Sequence, residues 1–203
     1  MSARVPAIVA LVGLFALLVC TLFVRVAIHR RRTGSSGIKL HGLGTTAGRA
    51  SALIFASPCL SVAACVVDLA LPLPHLIVVA PAARVAVGVL GWAMGFALMW
   101  LAQEQMRESW RAGVDETERT DLVTGGLFRV VRNPIFSGWL LVAAACFVLV
   151  PNVLSIFAFV LLLAGIEIQV RAVEEPYLAR VHGETYRRYT SDVGRLVPTL
   201  GRR

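Results

Sequence analysis

The chain of 203 residues is 57% hydrophobic and 16% charged, with a mean hydropathy of +0.74. Soluble domains run nearer about 45–50% apolar and about 25% charged, so these numbers exclude an ordinary water-soluble domain and a disordered chain alike. The formal charge of +8 would suggest nucleic acid in a soluble protein; in a membrane chain it reflects which loops face the cytoplasm, and no nucleic-acid partner is expected.

Five stretches approach the about 20 apolar residues that cross a bilayer. The first, Val5 to Ile28, has no ionised residue before Arg25 and ends in an arginine run; it is too long for a signal-peptide core and is expected to be retained. The second runs from about Ala50 to Leu71, with Pro58 breaking it and Asp68 near its end. The third runs from about Leu76 to Leu101, with Arg84 near its start placed to snorkel outward. Its Gly91-x-x-x-Gly95 spacing reads as a helix-packing surface. The fourth, Pro134 to Val150, is short, and Pro151-Asn152 leaves room only for a tight hairpin into the fifth, Asn152 to Val173. Cys20, Cys59, Cys65 and Cys146 sit in apolar runs without metal-site spacing, so no metal site is expected.

The basic residues are one-sided. Six lie in 25–49, five in 102–133 and seven from Arg171 onward, leaving Arg4 and Arg84 for the opposite face. The positive-inside rule makes the rich face cytoplasmic and the N-terminus external, which five spans satisfy. The expected fold is therefore all-α: a polytopic membrane protein with about five transmembrane helices plus cytoplasmic interfacial helices. Residues 1–101 form three N-terminal transmembrane helices, and 102–203 form a region with an interfacial segment, two spans and a cytoplasmic C-terminal helix. Both external connections are small and nearly uncharged, so the chemistry is expected on the cytoplasmic side or within the plasma or inner membrane.

Two polar stretches carry that chemistry. In 102–133, Met106 and Trp110 are four apart, as on a helix emerging at the interface, and six carboxylates (Glu104, Glu108, Asp115, Glu116, Glu118, Asp121) accompany five arginines as a largely solvated face. Gly125-Gly126 permits a turn. Pro134 suits the first turn of a helix, and Asn133 is placed as its N-cap, with its side-chain oxygen accepting from the orphan N–H groups. A helix N-terminus beside Arg132 makes a seat for carboxylate or phosphate; an ordinary arginine-anchored loop entering a span is the other reading. In the last stretch, Glu167 and Arg171 pair across one turn near the apolar slab, where an ionisable residue suggests function. Glu174-Glu175 reads as an acidic helix end opposing the macrodipole, suited to a cation. Leu178, Val181, Thr185 and Tyr189 form the stripe of a second, amphipathic helix.

Gly126-Leu127-Phe128-Arg129, Arg132-Asn133-Pro134-Ile135-Phe136-Ser137-Gly138, Glu174-Glu175-Pro176-Tyr177-Leu178, Gly183-Glu184-Thr185-Tyr186, Tyr189 and Arg195-Leu196-Val197-Pro198 occur in this order over roughly residues 105–198. Together they resemble the isoprenylcysteine carboxyl methyltransferase family and its phospholipid N-methyltransferase relatives. The resemblance implies an integral membrane enzyme that uses S-adenosylmethionine at the cytoplasmic end of its last helices and acts on a lipophilic substrate: an isoprenylcysteine-like carboxylate, a thiol or a phospholipid amine. It implies a cofactor site of Gly126, Arg132, Asn133, Pro134, Glu174 and Glu175, with Tyr186 and Tyr189 as a cap. The chain departs from the family pattern at Asn133, where the family has His, and at Phe136, where it has Tyr. Asn can hydrogen-bond but cannot titrate, so a proton-transfer role at that position is absent here. Glu167 and Arg171 are the catalytic candidates, for substrate orientation or proton acceptance.

Two other classes are open on sequence grounds. A sterol-reductase-like, NADPH-dependent membrane oxidoreductase would share a similar C-terminal half but is expected to carry more helices. A non-catalytic transporter or assembly protein would be expected to show repeated halves and polar residues at mid-membrane, and neither is apparent.

Overall fold

The computed structural model describes residues 2–38, 41–71, 74–110 and 121–202, the side chain of Glu108 excepted. Helix α1 spans Val5–Thr33, α2 Thr46–Ala70, α3 Pro81–Met106, α4 Pro134–Leu149 and α5 Val153–Ile168. A π-turn, Gln169–Glu174, carries α5 without interruption into α6, Glu175–Asp192. The chain is all-helical, with one isolated parallel bridge, Val131 to Gly194, among the described residues. Among the described residues four helices are long and apolar enough to cross a membrane, and α4 is a shorter apolar helix. These are the five expected spans of an integral membrane protein.

Several boundaries move for local reasons. Pro81 opens α3, where its missing N–H costs nothing, so the helix begins later than hydropathy suggests and runs on to Met106. It ends at Arg107, whose φ of 49° and ψ of −119° turn the chain, so Trp110 is not on a continuing helix. Pro58 does not break α2: it is buried inside an unbroken helix, and the neighbouring Ser57 hydroxyl donates to the Ala158 carbonyl of α5 at 2.9 Å. Glu174 and Glu175 do not end a helix, so the expected conflict with the macrodipole does not arise.

The bundle is held by close approach of small residues. Along α3, Gly88 faces Leu149, Gly91 faces the Ala145 Cβ, and Gly95 meets Gly138 of α4. A Cβ on Gly95 would lie 2.8 Å from the Gly138 carbonyl oxygen, so glycine is required for the two backbones to touch. The Gly91-x-x-x-Gly95 spacing is thus a packing surface, as expected. Helix α1 packs across α2, α3 and α4, with Ala7, Ala10, Leu14 and Leu17 buried against Met99, Val142, Cys146 and Leu149. Helix α5 packs along α2, with Gly165 against Ile54.

Polar pairs close both ends of the bundle. At one end Asn152 caps α5 by accepting from the Ser155 N–H at 3.1 Å and donates to the Ala64 carbonyl of α2 at 3.2 Å, making the hairpin expected at Pro151-Asn152. Arg84 does not snorkel outward. It is buried, meets the His75 ring nitrogen at 3.2 Å and donates to the Leu149 carbonyl at 3.4 Å, at the electronegative end of α4. At the other end Arg25, 1% exposed, joins α1 to α3 through the Glu104 carboxylate and the Gln103 carbonyl, and lies 5.0 Å from the Trp110 ring centroid.

Replacing Gly95 with Leu is expected to separate α3 from α4 and cost about 1–3 kcal/mol. Gly125→Ala, at a position with open space around it, is expected to leave stability unchanged. Thermal melting of the two purified variants in detergent checks this.

Candidate functional site

The chain from Val130 to Ser137 turns into α4 against the C-terminal segment. Gly126 has φ of 59°, and a Cβ there would meet the Gln105 amide; Gln105 Oε1 instead accepts from the Leu127 N–H at 2.9 Å. This locks the turn that leads to Arg132. The Arg132 and Asn133 N–H groups donate to the carbonyls of Gly194 and Arg195 at 2.8 and 3.1 Å, and the Ser137 hydroxyl donates to Leu196 O at 2.6 Å. The tail is thereby strapped across the N-terminus of α4.

Beneath this strap lies a buried ion cluster. Glu175, 4% exposed, accepts from Arg132 Nη2 at 2.8 Å and from Arg195 Nε and Nη2 at 2.7 and 3.1 Å. Arg132 also donates to the carbonyls of Thr190, Val193 and Gly201, at 3.1, 2.6 and 3.0 Å. Burial pushes the Glu175 carboxyl up, but the hydrogen bonds and charges of Arg195 and Arg132 outweigh burial and hold it below the ordinary carboxylate range. Arg132 Nε remains buried without a partner among the described residues.

A cavity of about 310 Å³ adjoins the cluster. Apolar side chains on its wall include Leu18, Leu22 and Val26 of α1, Ile54, Phe55 and Pro58 of α2, and Trp139 of α4. The wall also carries Arg132, Asn133, the first turn of α4, Gln169, Glu174, Tyr186, Tyr189 and Asp121. Glu174 lies beyond the apolar run of α5. Burial pushes its carboxyl up to about 7, against a Gln169 hydrogen bond that lowers it and with the Glu175 charge adding to the rise. Gln169 donates from Nε2 to Glu174 Oε1 at 3.1 Å, while its own Oε1 is buried and has no partner among the described residues. Burial, then the Glu175 charge, raises the Tyr186 phenol, so it stays a neutral donor. Tyr189 donates to the Phe128 carbonyl at 2.5 Å, and burial pushes its phenol up to about 12.

The sequence-derived residues fall into three groups. Asn133, Pro134, Glu174, Tyr186, Tyr189 and Arg132 line the cavity together. Glu175 and Gly126 do not line it; one is the counter-ion of two arginines and the other shapes a turn. Glu167 and Arg171 do pair, but the cavity wall includes neither, and Arg171 is exposed. The structure thus places this one-turn pair beside the cavity wall rather than on it, and Glu167 acts through its charge on Arg195. Asn133 does not cap α4. Its φ and ψ of −127° and 62° bring its amide to donate to the Arg195 carbonyl at 3.1 Å, so the tail rather than the helix takes the side chain.

In α6, Gly183 has non-helical φ and ψ of 52° and −123°. The kink breaks the expected stripe: Thr185 is exposed, and Glu175, Tyr186 and Thr190 are buried. The carboxylates Asp115, Glu116 and Glu118, with Arg111 and Arg119, lie outside the described residues. Gln169 was not singled out by sequence; its one signal is a polar side chain between Ile168 and Val170 at the end of an apolar run. Arg195 appeared only as a motif position, and its place opposite Glu175 needs the fold.

Residues 83–185 match the family model described as phospholipid methyltransferase. No curated protein matches the chain. A solved structure of the eukaryotic intramembrane Ras methyltransferase, an isoprenylcysteine carboxyl methyltransferase, is similar with a TM-score of 0.61 and 21% identity, over 97% of this chain and 68% of that one. That likeness is one of fold.

The Glu175→Gln variant leaves two buried guanidinium groups facing a neutral amide and is expected to lose about 3–5 kcal/mol. Because the folded carboxyl lies below its ordinary 4.5, the stabilisation is full above that pH and is lost as pH falls through the folded value. Melting temperatures of wild type and variant measured across this range should therefore differ most near neutrality and converge in acid.

Proposed function

The chain belongs to the phospholipid methyltransferase family, and from that premise we propose that it moves a methyl group onto a lipophilic acceptor reached from the bilayer, at the cytoplasmic membrane face. As a family member it is a membrane methyltransferase that uses S-adenosylmethionine. The observation that carries the finer reading is the cavity, lined both by apolar side chains of the membrane helices and by buried polar groups with spare valences.

The residues present fit the methyl donor. Its amino-acid end is a zwitterion. The unpartnered Arg132 Nε–H and the free N–H groups in the first turn of α4 would hold a carboxylate, which leaves a narrowed form of the seat expected from sequence. The Glu174 carboxyl would face the cationic part, and Tyr186 would offer a neutral O–H. When bound, S-adenosylmethionine supplies an electrophilic methyl on a sulfonium. The protein's own contribution is orientation. Glu175 and Arg195 hold Arg132 fixed, and the strapped tail and α6 tyrosines exclude water from the polar groups. Leu22, Val26, Ile54 and Phe55 would receive the acceptor's hydrocarbon chain. In this division 1–101 contributes most of the chain-binding wall and 102–203 the cofactor wall. The cytoplasmic placement rests on the eighteen basic residues assigned to that face.

Purified protein in detergent is expected to bind S-adenosylmethionine saturably, and Glu174→Gln to weaken that binding. Absence of saturable binding in the wild type would sink the reading. Leu22→Trp, which enlarges an apolar side chain on the wall, is expected to keep cofactor binding and to slow labelled methyl transfer into a membrane lipid extract by at least about tenfold. Equal loss of both would show that the two roles are not separate.

A further inference from the structure

Gln169 is 4% exposed, lines the cavity, and sits in the π-turn between α5 and α6. A π-turn is costly to keep and recurs where a helix must re-aim a side chain. This one spans Gln169–Glu174, with the two side chains at its ends bonded to each other at 3.1 Å. An amide in a dry site needs partners at both ends, and among the described residues only its nitrogen has one; Oε1 is buried and unsatisfied. An orphaned acceptor of this kind, on a wall it shares with a carboxylate, marks the place of a missing donor.

We propose that Gln169 is a positioning residue of the methyl-donor site: its amide N–H₂ holds Glu174, and its Oε1 accepts from the donor's ammonium, so that the two side chains form one cradle for a cationic N–H group. The proposal rests on the methyltransferase reading and goes beyond it by giving the cation side of the site to a residue outside the Glu174-Glu175 motif. An ammonium has three N–H groups, enough to satisfy Gln169 Oε1 and a Glu174 oxygen together. The polarity of the amide follows from this partner. Donation from Nε2 favours the ionised form of Glu174, and an ionised Glu174 is what a cation needs. Among the described residues the other groups that act on Glu174 are Glu175, which opposes its ionisation, and the Tyr186 phenol, while Arg132 and Asp121 lie on the same cavity wall.

The test measures binding to the full-length protein in detergent with two probes. S-adenosylhomocysteine carries the amino-acid end, and 5′-methylthioadenosine lacks it. Gln169→Leu is expected to weaken S-adenosylhomocysteine on the order of tenfold, with methylthioadenosine unchanged. In the wild type, S-adenosylhomocysteine binding is expected to strengthen as pH rises through about 7, where Glu174 ionises. Loss of the Gln169 donor moves that midpoint to higher pH, and Glu174→Gln abolishes the dependence. Gln169→Glu, which keeps acceptor oxygens and loses the donor, covers the case in which the Leu variant does not fold. It should also move the midpoint upward while still favouring S-adenosylhomocysteine above it. Equal weakening of both probes, no weakening of either, or an unmoved midpoint overturns the proposal. A wild type that binds neither probe is a different result and removes the methyltransferase reading itself.

Discussion

The carboxylate of Glu175 organises the functional end of the molecule. It lies in a dry site between Arg132, at the entry to α4, and Arg195, in the tail that follows α6. Three segments far apart in sequence meet at these few atoms. A charge buried with good hydrogen bonds adds little net stability over apolar packing, yet it is costly to break, so its chief effect is to permit one arrangement and penalise the others. Here the permitted arrangement lays the tail carbonyls of Gly194, Arg195 and Leu196 over the first turn of α4. Arg132 is thereby held with four hydrogen-bonding contacts made and one N–H left over.

The cavity exists because two kinds of packing meet beside this cluster. Glycines draw α3 and α4 into backbone contact, and Gly165 lets α5 close on α2. Helix α1 crosses the bundle on small residues near its start but presents Leu18, Leu22 and Val26 to the cavity further along. Its π-turn at Val19–Val24 precedes Arg25, which grips Glu104 and Gln103 of α3 beside the Trp110 ring. The cavity wall thus combines hydrocarbon and polar side chains, with the arginine and carboxylate pairs at the same end of the bundle. The opposite end is closed by Asp68, His75 and Arg84, with His75 Nε2 at 2.8 Å from Asp68 Oδ1 and Arg84 reaching the Leu149 carbonyl at the end of α4.

Much of this was legible in the sequence, and the reason is the bilayer. A spanning helix must be long and apolar, so hydropathy located all five spans, and proline and asparagine marked the starts of α4 and α5. The motif order pointed to the family, and Asn133, Glu174, Tyr186 and Tyr189 do share one cavity. Inferences from local spacing reached less far. Glu167 and Arg171 satisfy the one-turn pairing rule, but the rule does not say which side of the helix faces a cavity. The stripe through Thr185 assumed a straight helix, and Gly183 bends it.

The sequence alone therefore determined the class of molecule, the number of spans, the packing role of Gly91 and Gly95, and the stretch of chain that carries the chemistry, because each follows from composition and local geometry. Only the tertiary structure decided how valences are spent. Arg132 looked like a free anion seat and is mostly consumed by Glu175 and backbone carbonyls; Asn133 looked like a helix cap and donates to the tail instead. Gln169 looked like an incidental polar residue and holds Glu174 with one end while its other end lacks a partner. A hydrogen bond depends on where its partner lies in space, and all but one of these partners stand more than forty residues away along the chain.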